Sequence, residues 1–456
     1  MSEKTQQDSH EHLRDLIETH EPESVRDYLA SLPVEDLGYV VNRLDLDDQV
    51  ALMDSLSKEH AEVAASLVEH LPDTQTADLF SLLPPAAAAN IFEEMDSDDR
   101  ADVLAEMTDP KAAAVLAELE PEEARDAKHL IGYDSNTAGG LMITEYLSHP
   151  MTFTIQQVLE DMRTNAEQYS GYDVQYVYVT DEPGRLIGVI RLRDLVLTPG
   201  DATLDKIVIR NPRKVRTDES IAQLEGFFDE HGYFAVPVVD PSGVLVGVVR
   251  RAAVEAAHAE GAGRALMAFG GIIGGEELRS MPTRNRVARR LAFLCPNIVL
   301  NMVAASVVAY YEPTIAAVTA LAIFLPMLSD MSGCAGNQAV AVSIRELSLG
   351  LLKPKDLFRT LQKEVGIGVI NGVVLGTLVG LIAWAMRGDD WPLIGVVVGG
   401  AMCINSVLAV VIGGTVPLVL KRARVDPALA ASPILTTFTD MCGFFLTLRL
   451  ATALLL

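Results

Sequence analysis

Cysteine is scarce in this chain, and the four present, Cys295, Cys334, Cys403 and Cys442, all lie in the apolar last third with no CxxC spacing. That pattern excludes a disulfide framework and a zinc site of the usual spacing. Positive charge is also short. Against 62 acidic residues stand 36 basic ones, for a formal net charge of -26. A protein that neutralises phosphates needs a basic stripe, so nucleic acid is excluded as a partner. The acid excess reads either as a solvated surface or as a means of gathering cations. No nucleophile elbow, P-loop or HExxH is present, so an enzyme reading has no support. The polar start MSEKTQQDSHEHLRD has no apolar core and is expected not to be a signal peptide; its His10 and His12 read as tail rather than as ligands.

What remains is two materials joined end to end. Up to about Glu277 the chain is charged and acid-rich, and from about Val287 it is long apolar runs broken by Gly and Pro. At 456 residues it has room for about three domains of ~150 residues. The first part is periodic. Leu71, Leu83, Met95, Met107 and Leu119 recur every twelve residues, continuing a series begun by Leu32, Leu44 and Leu56. Pro72, Pro84, Asp96, Asp109 and Pro121 follow within three residues, as helix-start signals do. This predicts an all-α solenoid of short antiparallel helices over residues 1–130.

A second repeat has a displacement of 59: Asp181, Gly184 and Gly188 return as Asp240, Gly243 and Gly247, within YVYVTDEPGRLIGVIR and AVPVVDPSGVLVGVVR. Two β-branched runs around a Gly turn are a hairpin signature. With amphipathic stretches such as IAQLEGFFDEHG before them, these segments resemble tandem α/β CBS domains, placed at 137–254. A connecting helix is expected over 255–282, and a transmembrane α domain over 283–456.

That last domain divides into five apolar segments, 287–311, 315–344, 365–386, 392–420 and 432–456. Each is long enough to cross a hydrocarbon core of ~30 Å. Basic residues gather before the first (Arg284, Arg286, Arg289, Arg290), between the second and third (Arg345, Lys353, Lys355, Arg359, Lys363) and between the fourth and fifth (Lys421, Arg422, Arg424). The other two loops have almost none; in one, Arg387 faces Asp389 and Asp390. The expectation is a multi-pass protein of the plasma membrane, with its N-terminus cytoplasmic and its C-terminus outside. Gly368, Gly372, Gly376 and Gly380 lie on one face of the third segment and read as helix packing.

Polar groups inside such segments need a reason. Asp440 lies in the last one, and Arg449, nine residues on, falls on the opposite helix face, so the two cannot pair within the helix. Asp440 is either a packing residue or a cation site. A carboxylate among carbonyls and hydroxyls suits Mg2+, which keeps most of its water. Upstream runs DPALAASPILTTFTD, in which Asp426 before Pro427 and Ser432 before Pro433 look like helix starts. Thr436 shares the face of Asp440 and is the candidate lining hydroxyl; Thr437 stands beside it, with a pore or a packing role. Asp426 can cap a helix or capture ions. In the second segment Asp330, Asn337 and Gln338 are costly in lipid, and Asn337 and Gln338 either touch a pore or hold helices together. The Gly333 and Gly336 between them imply close packing.

This order of parts, with TAGGLM at 137–142, GNQ at 336–338 and the DPA…SP..TT..D pattern of the last segment, resembles the MgtE family of magnesium channels and transporters over essentially the whole chain. The resemblance implies a homodimer with the pore at its interface and Mg2+ held by two copies of Asp440. It implies that the positions of Thr436 and Ser432 line the path, and that a plug-like connecting helix and cytosolic domain close the pore when internal Mg2+ is high. The chain departs from the family where acids are expected to bind the regulatory Mg2+. There it has Arg250, Arg251 and Arg264, with only Glu255 and Glu260 remaining. Arginine supplies neither the negative charge nor the oxygen ligand that a cation needs. Fixed Arg charges are therefore expected to stand partly in place of Mg2+ against the acidic solenoid, weakening closure; the alternative is that acids elsewhere on the solenoid compensate. Cys334 stands where the family usually has Asn, and Asp330 is an added acid in the same segment. The CBS nucleotide pattern is altered too, leaving Asp194 and Arg191 as candidates for ribose and phosphate of an adenine nucleotide. Competing readings are a Na+-coupled Mg2+ exchanger, a carrier for Mn2+ or Co2+, and a membrane-anchored CBS sensor. Intramembrane polar residues argue against the last.

Overall fold

The computed structural model describes residues 12–456 apart from 18, 20–21, 167, 171, 173, 274–276, 278–280, 282 and 388–390, so His10, Asp389 and Asp390 lie outside the described residues. The chain divides into two compact units, one up to Ala259 and the other from Glu260.

The first unit begins with short helices: α1 (Pro22–Ser31), α2 (Val34–Asn42), α3 (Leu46–Leu56), α4 (Ala61–Val68), α5 (Asp73–Phe80), α6 (Pro85–Glu93), α7 (Ser97–Glu106), α8 (Asp109–Leu116) and α9 (Pro121–Leu130). From α4 onward each starts twelve residues after the last. The periodic Leu71, Leu83, Met95, Met107 and Leu119 sit just before those starts and are buried. The register breaks once: α3 ends at Leu56, and α4 starts fifteen residues after α3. Helices pack chiefly on the next but one, α5 on α7, α6 on α8 and α7 on α9.

Next come eight strands, β1 (Met142–Ile143), β2 (Leu147–Pro150), β3 (Tyr176–Thr180), β4 (Leu186–Arg191), β5 (Ile209–Arg210), β6 (Val215–Arg216), β7 (Ala235–Val239) and β8 (Leu245–Arg250). They form two four-stranded sheets, ordered β2-β3-β4-β5 and β1-β8-β7-β6. Helices α10 (Ile155–Thr164), α11 (Leu192–Leu197) and α12 (Ile221–Glu230) accompany them. The 59-residue repeat is the hairpin pair β3–β4 and β7–β8. Gly184 and Gly243 take the positive φ of the turn, at 84° and 86°. Asp181 and Asp240 brace it, each accepting the backbone N–H four residues on, of Arg185 at 2.7 Å and of Val244 at 2.9 Å. One feature had no local signal: β1 pairs antiparallel with β8, so the first strand of the region completes the sheet of the second repeat.

Helix α13 (Arg251–Phe269) follows β8 without a loop. The expected connecting helix at 255–282 therefore starts earlier and ends sooner, closing on Gly271 at a φ of +84°. Beyond it lie α14 (Thr283–Tyr310), α15 (Glu312–Ala317), α16 (Leu321–Ser348), α17 (Leu357–Arg387), α18 (Ile394–Arg422) and α19 (Pro427–Leu454). Among the described residues, four helices are long and apolar enough to cross a membrane: α14, α18, α19 and the segment Pro354–Arg387 that contains α17. The 28 residues of α16 are long enough, but its polar side chains keep its composition below that mark. The expected second segment, 315–344, is interrupted, because Val318 leaves helical geometry (φ -123°, ψ 73°) and separates α15 from α16. The glycine face of α17 packs on α18 as expected. A Cβ at Gly372, Gly376 or Gly380 would lie 2.5 to 2.7 Å from a carbonyl oxygen of Cys403, Gly399 or Gly395.

Candidate functional site

Asp440 stands midway along α19 and is half-buried. The Ser329 hydroxyl of α16 donates to its Oδ1 at 2.5 Å. Among the described residues no cationic side chain reaches it, Arg449 included. Ser432, Thr436 and Asp440, four residues apart, form one half-buried stripe, whereas Thr437 is buried within the chain. Thr436 donates its hydroxyl to the Ser432 and Pro433 carbonyls (3.1 and 3.2 Å), and Thr437 to that of Pro433 (2.8 Å). The Thr436 proton is spent on the helix, which leaves its oxygen lone pairs to face a cation or its water.

Two helix starts were expected in this stretch and one is found. Asp426 caps α19, its Oδ1 accepting from the Ala428 N–H at 2.9 Å, with Pro427 as the first helical residue. Ser432–Pro433 is not a start: Pro433 lies inside α19, which runs unbroken past Asp440. The proline costs one helical bond, because it has no N–H to offer the Leu429 carbonyl, and the helix continues around it.

On α16 the polar residues part company. Asp330, Cys334 and Gln338, spaced by four, are exposed along one edge of the single chain. Asn337 turns inward, and its buried Oδ1 has no partner among the described residues. Gly336 is a close-packing point, since a Cβ there would lie 2.7 Å from Leu435 and 3.0 Å from the Ala409 carbonyl. Gly333 is looser, 4.0 Å from a Thr436 methyl. At the end of α13, Phe269 packs against Val340, Ala431 and Leu435.

The three arginines of the altered stretch separate as well. Arg250, the last residue of β8, reaches the solenoid. Its Nη2 lies 2.6 Å from Asp96 and 3.9 Å from Asp98, at the start of α7. Asp96, Asp98 and Asp99 are close enough together to hold a metal ion, and Arg250 is seated against them. Burial pushes the Asp98 carboxyl well above its ordinary range, and Asp99 adds to this, while Arg250 opposes it. Burial works against the Arg250 charge, but Asp98 and Asp96 outweigh it and hold the guanidinium above its usual value. Arg251, expected to act with Arg250, instead caps α12 within its own domain. It donates to the carbonyls of His231 (2.7 Å), Tyr233 (3.1 Å) and Phe228, with its guanidinium over the Phe228 ring. The last carbonyls of a helix attract a cation for the reason that placed it there. Among the described residues Glu255 and Arg264 make one-turn ion pairs, with Arg251 and Glu260.

In the tandem domains a cavity of about 600 Å³ is lined by aromatic side chains (Tyr176, Tyr178, Tyr233, Phe234) and by Arg191 and Arg213. Asp194 does not line it, being tied to Arg191 Nε at 2.7 Å. The sequence reasoning also passed over Ser329, Ser332 and Asn405. The signal for Asn405 was available: it is a lone amide in the fourth apolar segment.

Comparison with known proteins gives matches to three families. The MgtE divalent cation transporter family covers residues 325–450, the MgtE intracellular N domain residues 60–136, and CBS domains residues 138–198 and 204–257. The magnesium transporter MgtE of Thermus thermophilus is 32% identical over 339 residues, 74% of each chain. That of Bacillus subtilis is 28% identical over 339 residues, 73% of each chain. A crystal structure of the soluble part of a magnesium transporter is 25% identical, with a TM-score of 0.50; the match covers 56% of this chain and 99% of that one.

Proposed function

The chain belongs to the MgtE family of magnesium transporters, and on that premise we propose that it is a channel conducting Mg2+ through a homodimer-interface pore, with Asp440 as the ion-binding carboxylate. The observation that carries this is Asp440 itself: a half-buried carboxylate in an apolar helix, held by one hydroxyl and met by no cation among the described residues. A charge so placed faces water, a partner or a bound ion. Ser432 and Thr436 continue its stripe. The exposed edge Asp330, Cys334, Gln338 supports a second copy as its cover, because a carboxylate turned to lipid is costly. Two facing copies would give the site two carboxylates, and outer-sphere contacts suffice for an ion that dehydrates reluctantly. The basic residues before α14, between α16 and α17 and between α18 and α19 support five passes, with α16 as the second, the N-terminus in the cytoplasm and the C-terminus outside. Mg2+ uptake into proteoliposomes is expected to be lost in Asp440→Ala; unchanged uptake contradicts the assignment.

Regulation follows from Arg250. A guanidinium already occupies the acidic turn of α7, so internal Mg2+ has less to gain by binding there, and closure by Mg2+ is weak. Conductance measured with and without millimolar cytosolic Mg2+ is expected to change little; strong closure overturns this. The aromatic cavity with Arg191 and Arg213 fits an adenine nucleotide, by stacking on the base and by charge on the phosphates. Asp194, engaged by Arg191, is left out of the ribose role.

A further inference from the structure

Asn405 is wholly buried midway along α18, a helix otherwise apolar enough to span a membrane. A buried amide is costly unless it is bonded, and here only the nitrogen is: Oδ1 has no partner among the described residues. Its Nδ2 donates to Ser332 Oγ of α16 at 2.8 Å and to the Thr439 carbonyl of α19 at 3.1 Å. One side chain thus joins three helices, and it does so at the residue before Asp440. Gly443 makes the approach possible, since a Cβ there would stand 2.7 Å from Nδ2.

The same helix α16 holds Asp440 from the other side. Ser329, one turn before Ser332, donates to the Asp440 carboxylate. The contacts close a ring: from α16 through Ser329 to the Asp440 side chain, back along α19 to the Thr439 carbonyl, through Asn405, and to α16 again at Ser332. Carboxylate and backbone are pinned separately, so Asp440 can neither rotate about the axis of α19 nor slide along it without breaking a bond. Asn405 has no exposed surface and so does not itself meet the ion. From this geometry we infer that Asn405 is a positioning residue for ion binding. It sets the height and rotation of Asp440, and through them the affinity for the cation.

The inference rests on Asp440 being the ion-binding group. Mg2+ uptake by the full chain in proteoliposomes, normalised to folded protein, separates half-saturating concentration from maximal flux. Asn405→Ala is expected to raise half-saturation about fivefold, the equivalent of losing the bond to the Thr439 carbonyl, which is the one of its two bonds that pins the α19 backbone. Ser332→Ala and Gly443→Ala, which break the same link from its other two sides, should shift it in the same direction. Ser406→Ala, a neighbouring buried residue outside the ring, should not. If Asn405→Ala does not fold, the Ser332 and Gly443 variants decide. Unchanged half-saturation in these variants, even with lower maximal flux, overturns the inference. That result alongside loss of uptake in Asp440→Asn removes the positioning role alone, whereas unchanged uptake in Asp440→Asn removes its premise.

Discussion

Two carboxylates in this chain show what surroundings do to one functional group. Asp440 meets a single hydroxyl. Asp98 is buried beside Asp99 and Asp96 and faces a guanidinium. The Asp98 carboxyl is held above its ordinary range, chiefly by burial, so the folded protein favours its protonated form. Its contribution to stability is therefore complete below the ordinary carboxylate pKa of about 3.9 and is lost as pH rises through the folded value. Hydrogen exchange of amides 97–106, corrected for the intrinsic rate, should accelerate across that window in the wild type and less so in Asp98→Asn. Identical profiles would show that Asp98 does not govern the docking of α7. Asp98 was invisible as a special residue in the sequence, where it is one acid in a run of them. Arg250 and Arg251 are adjacent and read alike in sequence, yet one bonds the solenoid and the other caps a helix. Which way each side chain turns depends on partners far away in the chain.

Elements were legible where their signals are local. The twelve-residue period marks turns, and each turn carries its own Pro or Asp. The 59-residue repeat shows because a Gly at positive φ and a bracing Asp lie within one hairpin. The glycine face of α17 follows from its spacing of four. Pairings across long separations were not legible: β1 with β8, Ser329 with Asp440, and Asn405 with Thr439 leave no mark in a single sequence. Pro433 misled because a proline start and a proline tolerated inside a packed helix look the same. The α17–α18 contact gives a direct test of packing. Gly372→Val would set a Cβ 2.5 Å from the Cys403 carbonyl, so the helices must separate. Such overpacking costs about 1–3 kcal/mol. Thermal denaturation of the detergent-solubilised protein should show a lowered midpoint, and an unchanged one would mean that the two helices do not meet there.

At the scale of the molecule, two kinds of charge economy coexist. The acidic first unit meets acids with arginines at the joint of solenoid and sheet, Arg250 with Asp96 and Arg100 with Glu145, while the apolar second unit leaves Asp440 without a cation among the described residues. On the proposed function, the joint is closed by the protein's own charges and Asp440 is left to the ion. Asp440→Asn tests it most directly, because the amide oxygen still accepts from Ser329 and only the charge is lost. Mg2+ flux through the full-length protein in proteoliposomes, at fixed membrane potential and equal amounts of folded protein, should collapse in Asp440→Asn with helix packing intact. Flux equal to that of the wild type would contradict the claim that this carboxylate carries the ion.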